Sequence, residues 1–227
     1  MPDNLRSSVI RLAHANPELR PHLLPMLKEA AGEVNVPGKH ILDNAKVFGG
    51  AEVSGKAMVW GNAKVYDDAK VYGKAKVYST AEVYDNAHVY DGADVFGNAH
   101  VSGSAHVYGV AHVSGTAEVK NNAEVYDDAM VAGTAKVYGT AKVYGRAKVY
   151  GGGRVFGDAK VGDLAEVYGD AMVYGNAHVY GVAHVYGDAK VYGRADISGT
   201  VEILGGSWDG SEGPITKGKW KSPGVPA

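Results

Sequence analysis

Nine histidines and no cysteine set the side-chain chemistry available to this chain of 227 residues. Six of them, His88, His100, His106, His112, His178 and His184, share one setting, between an alanine and a valine. Of these six, only His88 and His106 stand eighteen residues apart. If the chain repeats every eighteen residues, their imidazoles lie about one strand spacing from each other, which makes them the candidate metal ligands. Zinc sites use three or four protein ligands, and no third partner stands at the matching spacing, so no metal and no cofactor are expected. The plainer reading of these histidines is a solvated polar face.

The second chemical signal is aromatic. All 15 tyrosines and all three phenylalanines follow directly after an aliphatic residue, in one slot of a six-residue pattern, and Trp60 shares that slot. Residues eighteen apart are expected to stack, giving one ladder of Tyr72, Tyr90, Tyr108, Tyr126 and Tyr144. Further runs join Tyr66 to Tyr84, Tyr138 to Phe156, Tyr174 and Tyr192, and Tyr150 to Tyr168 and Tyr186. Such ladders stabilise adjacent strands by about 0.2–1 kcal/mol per pair. Their exposed phenols are also a candidate binding surface, because tyrosine offers rigid contact area with a polar tip.

What positions these residues is a repeat. From Ala45 to Ala195 a small residue recurs every six positions without an insertion, and only Gly153 replaces the alanine. Two residues later comes Val, or Ile at Ile197, as in Ala141-Lys142-Val143. A spacing of two puts both on one side of an extended strand, and the polar residue between them on the other. Ala and Val therefore form a filled core with no room for a ligand. Two residues after each Val stands Gly, Asp or Asn, with Ser79 as the exception. These residues adopt positive φ at least cost, so the backbone is expected to turn a corner once in six residues. Six residues per side gives a triangle of eighteen. The fold predicted is an all-β, left-handed, triangular parallel β-helix of about nine coils, roughly 40 Å long at about 4.8 Å per coil.

Segments such as Val137-Tyr138-Gly139-Thr140-Ala141-Lys142 resemble the hexapeptide-repeat family, the left-handed β-helices of many bacterial acyltransferases. The aliphatic and small positions match through nearly all the repeats, but this chain carries an aromatic where that family prefers Gly, Ala, Glu or Asp. The resemblance implies an acyltransferase working at subunit interfaces with a histidine near a loop extruded from a coil. No such loop interrupts Ala45 to Val201, and His106 is the weak candidate for the catalytic role.

The ends differ in kind. Residues 1–38 read as a helical cap or docking segment, with Val9, Ile10, Leu12 and Ala13 as an apolar stripe and Asn16-Pro17 starting a second helix. The stretch Leu5-Arg6 through Leu27-Lys28 resembles N-terminal segments of phage-encoded proteins. Residues 39–204 form the β-helix, and residues 205–227, with Trp208, Trp220 and three prolines, a C-terminal capping tail.

Bulk composition narrows the partners. The 23 Lys and Arg against 25 Asp and Glu give a net charge of −2, with no field to attract nucleic acid or an anionic membrane. No signal peptide or membrane span is visible, so a cytoplasmic or virion-associated location is expected. Flat threonine rows of the ice-binding kind are missing from these charged faces. The expectation is a non-enzymatic structural or binding rod that associates with copies of itself, as a trimer, or contacts a protein or glycan partner. Tyr72, Tyr90, Tyr108, Tyr126 and Tyr144 form its binding surface. A hexapeptide-type acyltransferase and a glycan-binding module are the alternatives.

Overall fold

The computed structural model describes residues 40–223 and the strand Val225–Pro226. The segment 1–38, expected to be helical, lies outside the described residues.

Alternation of small-polar-branched residues produces strands of minimal length. Twenty-seven two-residue strands recur every six residues from Lys46–Val47 to Glu202–Ile203. From Lys46–Val47 to His184–Val185 each pairs in parallel with the strand three further along, as in the register Lys46↔Lys64 and Val47↔Val65, so one turn takes eighteen residues. Three sheets of 10, 9 and 11 strands result, beginning at Lys46, Glu52 and Met58. They are called here the first, second and third faces of a three-sided solenoid of about ten turns, slightly more than the nine expected.

Burial follows the pattern residue by residue. In the inward slots, every alanine and valine from Ala57 to Val191 has no exposed surface. Backbone hydrogen bonds such as Lys64 N–H to Ala81 O, Tyr66 N–H to Val83 O and Asp68 N–H to Asp85 O join each coil to the next, and the buried column packs beneath them. Each buried valine contributes about 1.5–3 kcal/mol.

The corners explain the Gly, Asp and Asn of the repeat. Corner glycines from Gly49 to Gly199 have φ between 61° and 77°, and Asp85, Asp127, Asn121 and Ser79 share the left-handed conformation at 58°, 59°, 62° and 63°. Corners of successive coils also nearly touch: a Cβ on Gly109 would stand 2.8 Å from the backbone nitrogen of Asp127. Aspartate adds a bond that glycine cannot. The carboxylates of Asp85, Asp127 and Asp163 accept the backbone N–H of Gly103, Gly145 and Gly181, at 2.9, 3.1 and 3.0 Å. An aspartate corner thereby clamps the glycine corner of the next coil.

At the C-terminal end the strand Ser207–Trp208 extends the first face, and Trp208 takes the inward slot opposite Val191. It is 1% exposed, and its indole N–H donates to the Gly205 carbonyl at 2.8 Å. The strand Lys219–Ser222 extends the third face and pairs antiparallel with Val225–Pro226. Part of the terminal sheet edge is thus covered, which limits further strand addition there.

Candidate functional site: aromatic ladders and their polar partners

The eighteen-residue turn brings the aromatic slot of each coil directly over that of the last. On the second face Tyr72, Tyr90, Tyr108, Tyr126 and Tyr144 stack, with centroid separations of 4.9, 4.9, 5.0 and 5.5 Å. The first face carries Phe48, Tyr66 and Tyr84, then Tyr138, Phe156, Tyr174 and Tyr192. The third carries Trp60, Tyr78 and Phe96, then Tyr150, Tyr168 and Tyr186. The Phe48 and Trp60 starts of these ladders extend the runs expected from spacing.

Eight of the rings meet the outward residue of the next coil, sixteen positions on. Where that residue is glutamate the phenol donates to it: Tyr66 to Glu82 at 3.1 Å, Tyr108 to Glu124 at 3.1 Å, Tyr150 to Glu166 at 3.0 Å and Tyr186 to Glu202 at 3.0 Å. Where it is histidine the two rings meet edge to face, as in Tyr72 with His88, Tyr84 with His100, Tyr90 with His106 and Tyr168 with His184. Lysines complete the rows, with Lys64 2.6 Å from Glu82 and Lys142 2.8 Å from Glu124.

This arrangement moves the phenols away from ionisation. Burial, then the hydrogen bond to Glu166 and its charge, push the Tyr150 phenol up to about 12. Burial and the same kind of glutamate partner raise Tyr66 and Tyr108 further. Burial works against the Glu124 carboxylate, but hydrogen bonds from Lys142 and Tyr108 outweigh it and hold the group below the usual range.

The six outward histidines remain on the faces. His88 and His106 are brought together, with centroids 4.9 Å apart and rings tilted by 36°. Burial, His106 and Lys70 lower the His88 pKa, against a raising effect of Glu52. Among the described residues, no group of three or more His, Cys, Asp or Glu stands where it could hold a metal ion. His106 lies in register between His88 and Glu124 on a continuous face. Its surroundings are ring edges and a carboxylate, with no extruded loop to enclose a reacting group.

The ladders are interrupted in two different ways. On the second face Gly162 has no ring, and Tyr144 tips over the gap, so that a Cβ on Gly162 would stand 2.6 Å from Tyr144 Cε2. On the third face Ser114 and Ala132, and on the first face Ser102 and Lys120, omit two successive rings, and it is the first-face gap that has a cavity beside it. There a cavity of about 310 Å³ opens between Tyr84, His100, Ser102, Glu118 and Lys120. Another, of about 410 Å³, lies at the C-terminal end beside Trp208, Pro214, Ile215 and Trp220. Sequence reasoning did not identify the Ser102 cavity; its signal was a pair of successive non-aromatic residues in a slot that is mostly aromatic, a signal that Ser114 and Ala132 on the third face share.

Residues 165–181, one residue short of a full turn, match the family described as the YdcK beta solenoid repeat. No curated protein and no solved structure matches the chain. The three parallel sheets and this match define a β-solenoid repeat protein. Among the described residues, no helix is long and apolar enough to cross a membrane.

Proposed function

We propose that the protein is a non-enzymatic rod that associates with copies of itself along the edge beside the second-face ladder. The observation that carries this reading is an alignment. Val110, Leu164 and Val182 are exposed by 53%, 45% and 44%, and all three lie at the same corner, two residues beyond the slots of Tyr108, Gly162 and Tyr180. Exposed apolar side chains scattered singly are ordinary on a soluble protein. Here they share one edge with a row of half-buried tyrosines, and apolar and aromatic groups in one stripe are what a protein interface concentrates. A second copy offers the same stripe, which suits a symmetric contact. Between Val110 and Leu164 the same edge carries the exposed pair Asp128 and Arg146, 3.6 Å apart, so the contact joins apolar groups with one ion pair of both signs.

Sedimentation velocity of the full chain tests this beside the triple variant V110D/L164D/V182D. The expected result is an oligomer for the natural chain and a monomer for the variant, whose circular dichroism stays unchanged because the altered side chains lie outside the core. An unchanged oligomeric state in the variant, or a monomeric natural chain, ends this reading. Turnover of an acyl-CoA that is lost in His106→Asn raises the acyltransferase alternative above it.

A further inference from the structure

We propose that the two-ring gap in the first-face ladder is a carbohydrate subsite, taking one pyranose ring of a glycan against the free face of Tyr84.

The ladder below the gap ends on an aromatic face. Tyr84 lies 5.0 Å above Tyr66, and its next rung is Ser102, which carries no ring to stack on its other face. Three steps separate Tyr84 from Tyr138, roughly 15 Å at a strand spacing of about 4.8 Å. The upper part of this space is occupied: Lys120 Nζ stands 5.7 Å from the Tyr138 ring centroid, as a cation over its π-face. What remains open is the lower part, the cavity of about 310 Å³, at the small end of the range for ligand pockets. The space suits one ring stacked on Tyr84.

The single-ring interruption of the second face is filled by its neighbour. At Gly162 the neighbouring Tyr144 closes the break. At Ser102, itself 8% exposed, the edge of His100 meets Tyr84 from the side, 6.5 Å away at 83°.

The rim chooses the chemistry of the ligand. Glu118 is shared by Lys136 at 2.6 Å and Lys120 at 3.0 Å, a trio that carries one net positive charge. His100, 3.9 Å from Glu82, and Ser102 supply further polar groups. A flat aromatic ligand would stack on Tyr84 but leave this polar rim without new partners on desolvation, a cost of the kind that separates matched from unmatched ligands. An uncharged pyranose answers both surfaces, presenting C–H groups to the tyrosine face and hydroxyls to Glu118, Lys120, His100 and Ser102. The subsite lies on the first face, so it does not depend on association through the Val110 edge.

The test is a glycan array, followed by saturation-transfer NMR with free methyl glycosides, on the full chain and on Ser102→Tyr. That substitution restores a ring used throughout the same slot, so it fills the subsite and retains the fold; Tyr84→Leu is a second variant that removes the stacking face. The expected result is pyranose binding by the natural chain that weakens by about tenfold or more in both variants, with unchanged thermal melting for Ser102→Tyr. Failure to retain any pyranose, equal binding by the natural chain and Ser102→Tyr, or retention of p-cresol in place of sugars each overturns the proposal. A monomeric chain that still binds sugar in this way would end the self-association reading and leave this one standing.

Discussion

Tyr108 donates its hydroxyl hydrogen to Glu124 Oε2 at 3.1 Å, linking one coil to the next across sixteen residues of sequence. The contact joins two systems that otherwise run in parallel, the stacked rings and the rows of ion pairs, because Glu124 also lies 2.8 Å from Lys142 Nζ. A ring displaced by solvent or heat therefore disturbs a salt bridge, and the reverse.

Alkaline stability is the first consequence. The folded-state pKa values of Tyr66, Tyr108 and Tyr150 are raised above the ordinary phenol value of 10.0. A raised folded pKa contributes stability that is fully present below pH 10 and lost as pH rises toward the folded value. NMR titration of Tyr66, Tyr108 and Tyr150 should show these phenols still protonated in the native rod near pH 10, with stability falling as pH approaches about 12. Tyr108→Phe should advance unfolding by removing a bond to a carboxylate. Ordinary titration of all phenols near pH 10 in the intact fold would contradict this.

Mild acid should act through His88. Its folded pKa is lowered from 6.5, by burial first and then by His106 and Lys70. A lowered value means stability present above pH 6.5 and lost as pH falls through the folded pKa. The His88 ring protons, followed by NMR, should titrate below pH 6.5, and His88→Asn should flatten the dependence of melting temperature on pH between 7 and 5. A midpoint above 6.5 would reverse the sign.

Corner geometry makes a comparative prediction. Gly109 and Gly213 both have φ of 72°, but a Cβ on Gly109 meets the Asp127 backbone at 2.8 Å while one on Gly213 meets nothing within 4 Å. Alanine at Gly213 should cost about 1–2 kcal/mol, the conformational part alone. Alanine at Gly109 should cost more, because backbone must move as well. Equal losses in chemical denaturation would show that the close stacking of corners carries no energy.

Core substitutions should separate volume from register. Val107→Ala removes two methyl groups from a fully buried site and should cost about 2 kcal/mol or more, including the cavity left behind. Gly153→Ala restores the residue found in every other repeat from Ala45 to Ala195, yet it should also destabilise. A Cβ there would lie 2.8 Å from the Val167 carbonyl oxygen and 3.1 Å from that of Tyr150. A raised melting temperature for Gly153→Ala would show that the coil adapts freely.

Much of this molecule was legible because each residue's environment depends on neighbours six and eighteen positions away. The inward column, the corners and the ladder from Tyr72 to Tyr144 follow from those two numbers. So does the Lys142–Glu124 pair, because its members occupy equivalent slots. The sixteen-residue contacts were less accessible, since they depend on which way a ring leans, a choice set by packing over the face. Tyr144 covering Gly162 is a local relaxation that no periodicity contains. The Ser102 cavity combines both kinds of information: the missing rings stand in the sequence, while the side chains that line the space do not. His88 and His106 met as their spacing required, but nothing in spacing tells whether two neighbouring imidazoles have work to do.

The unbroken eighteen-residue register also bears on how such a gene can change. Duplication or loss of one coil's worth of coding sequence returns every side chain to an equivalent slot, so unequal recombination between coils alters length in steps of about 4.8 Å without disturbing the fold. Exchange displaced by a single hexapeptide keeps the core intact but rotates everything beyond the junction onto the neighbouring face. The ladders and ion pairs on either side would then meet the wrong partners, while Ala and Val would still be buried. Heritable variation in such a lineage is therefore free in length and constrained in phase.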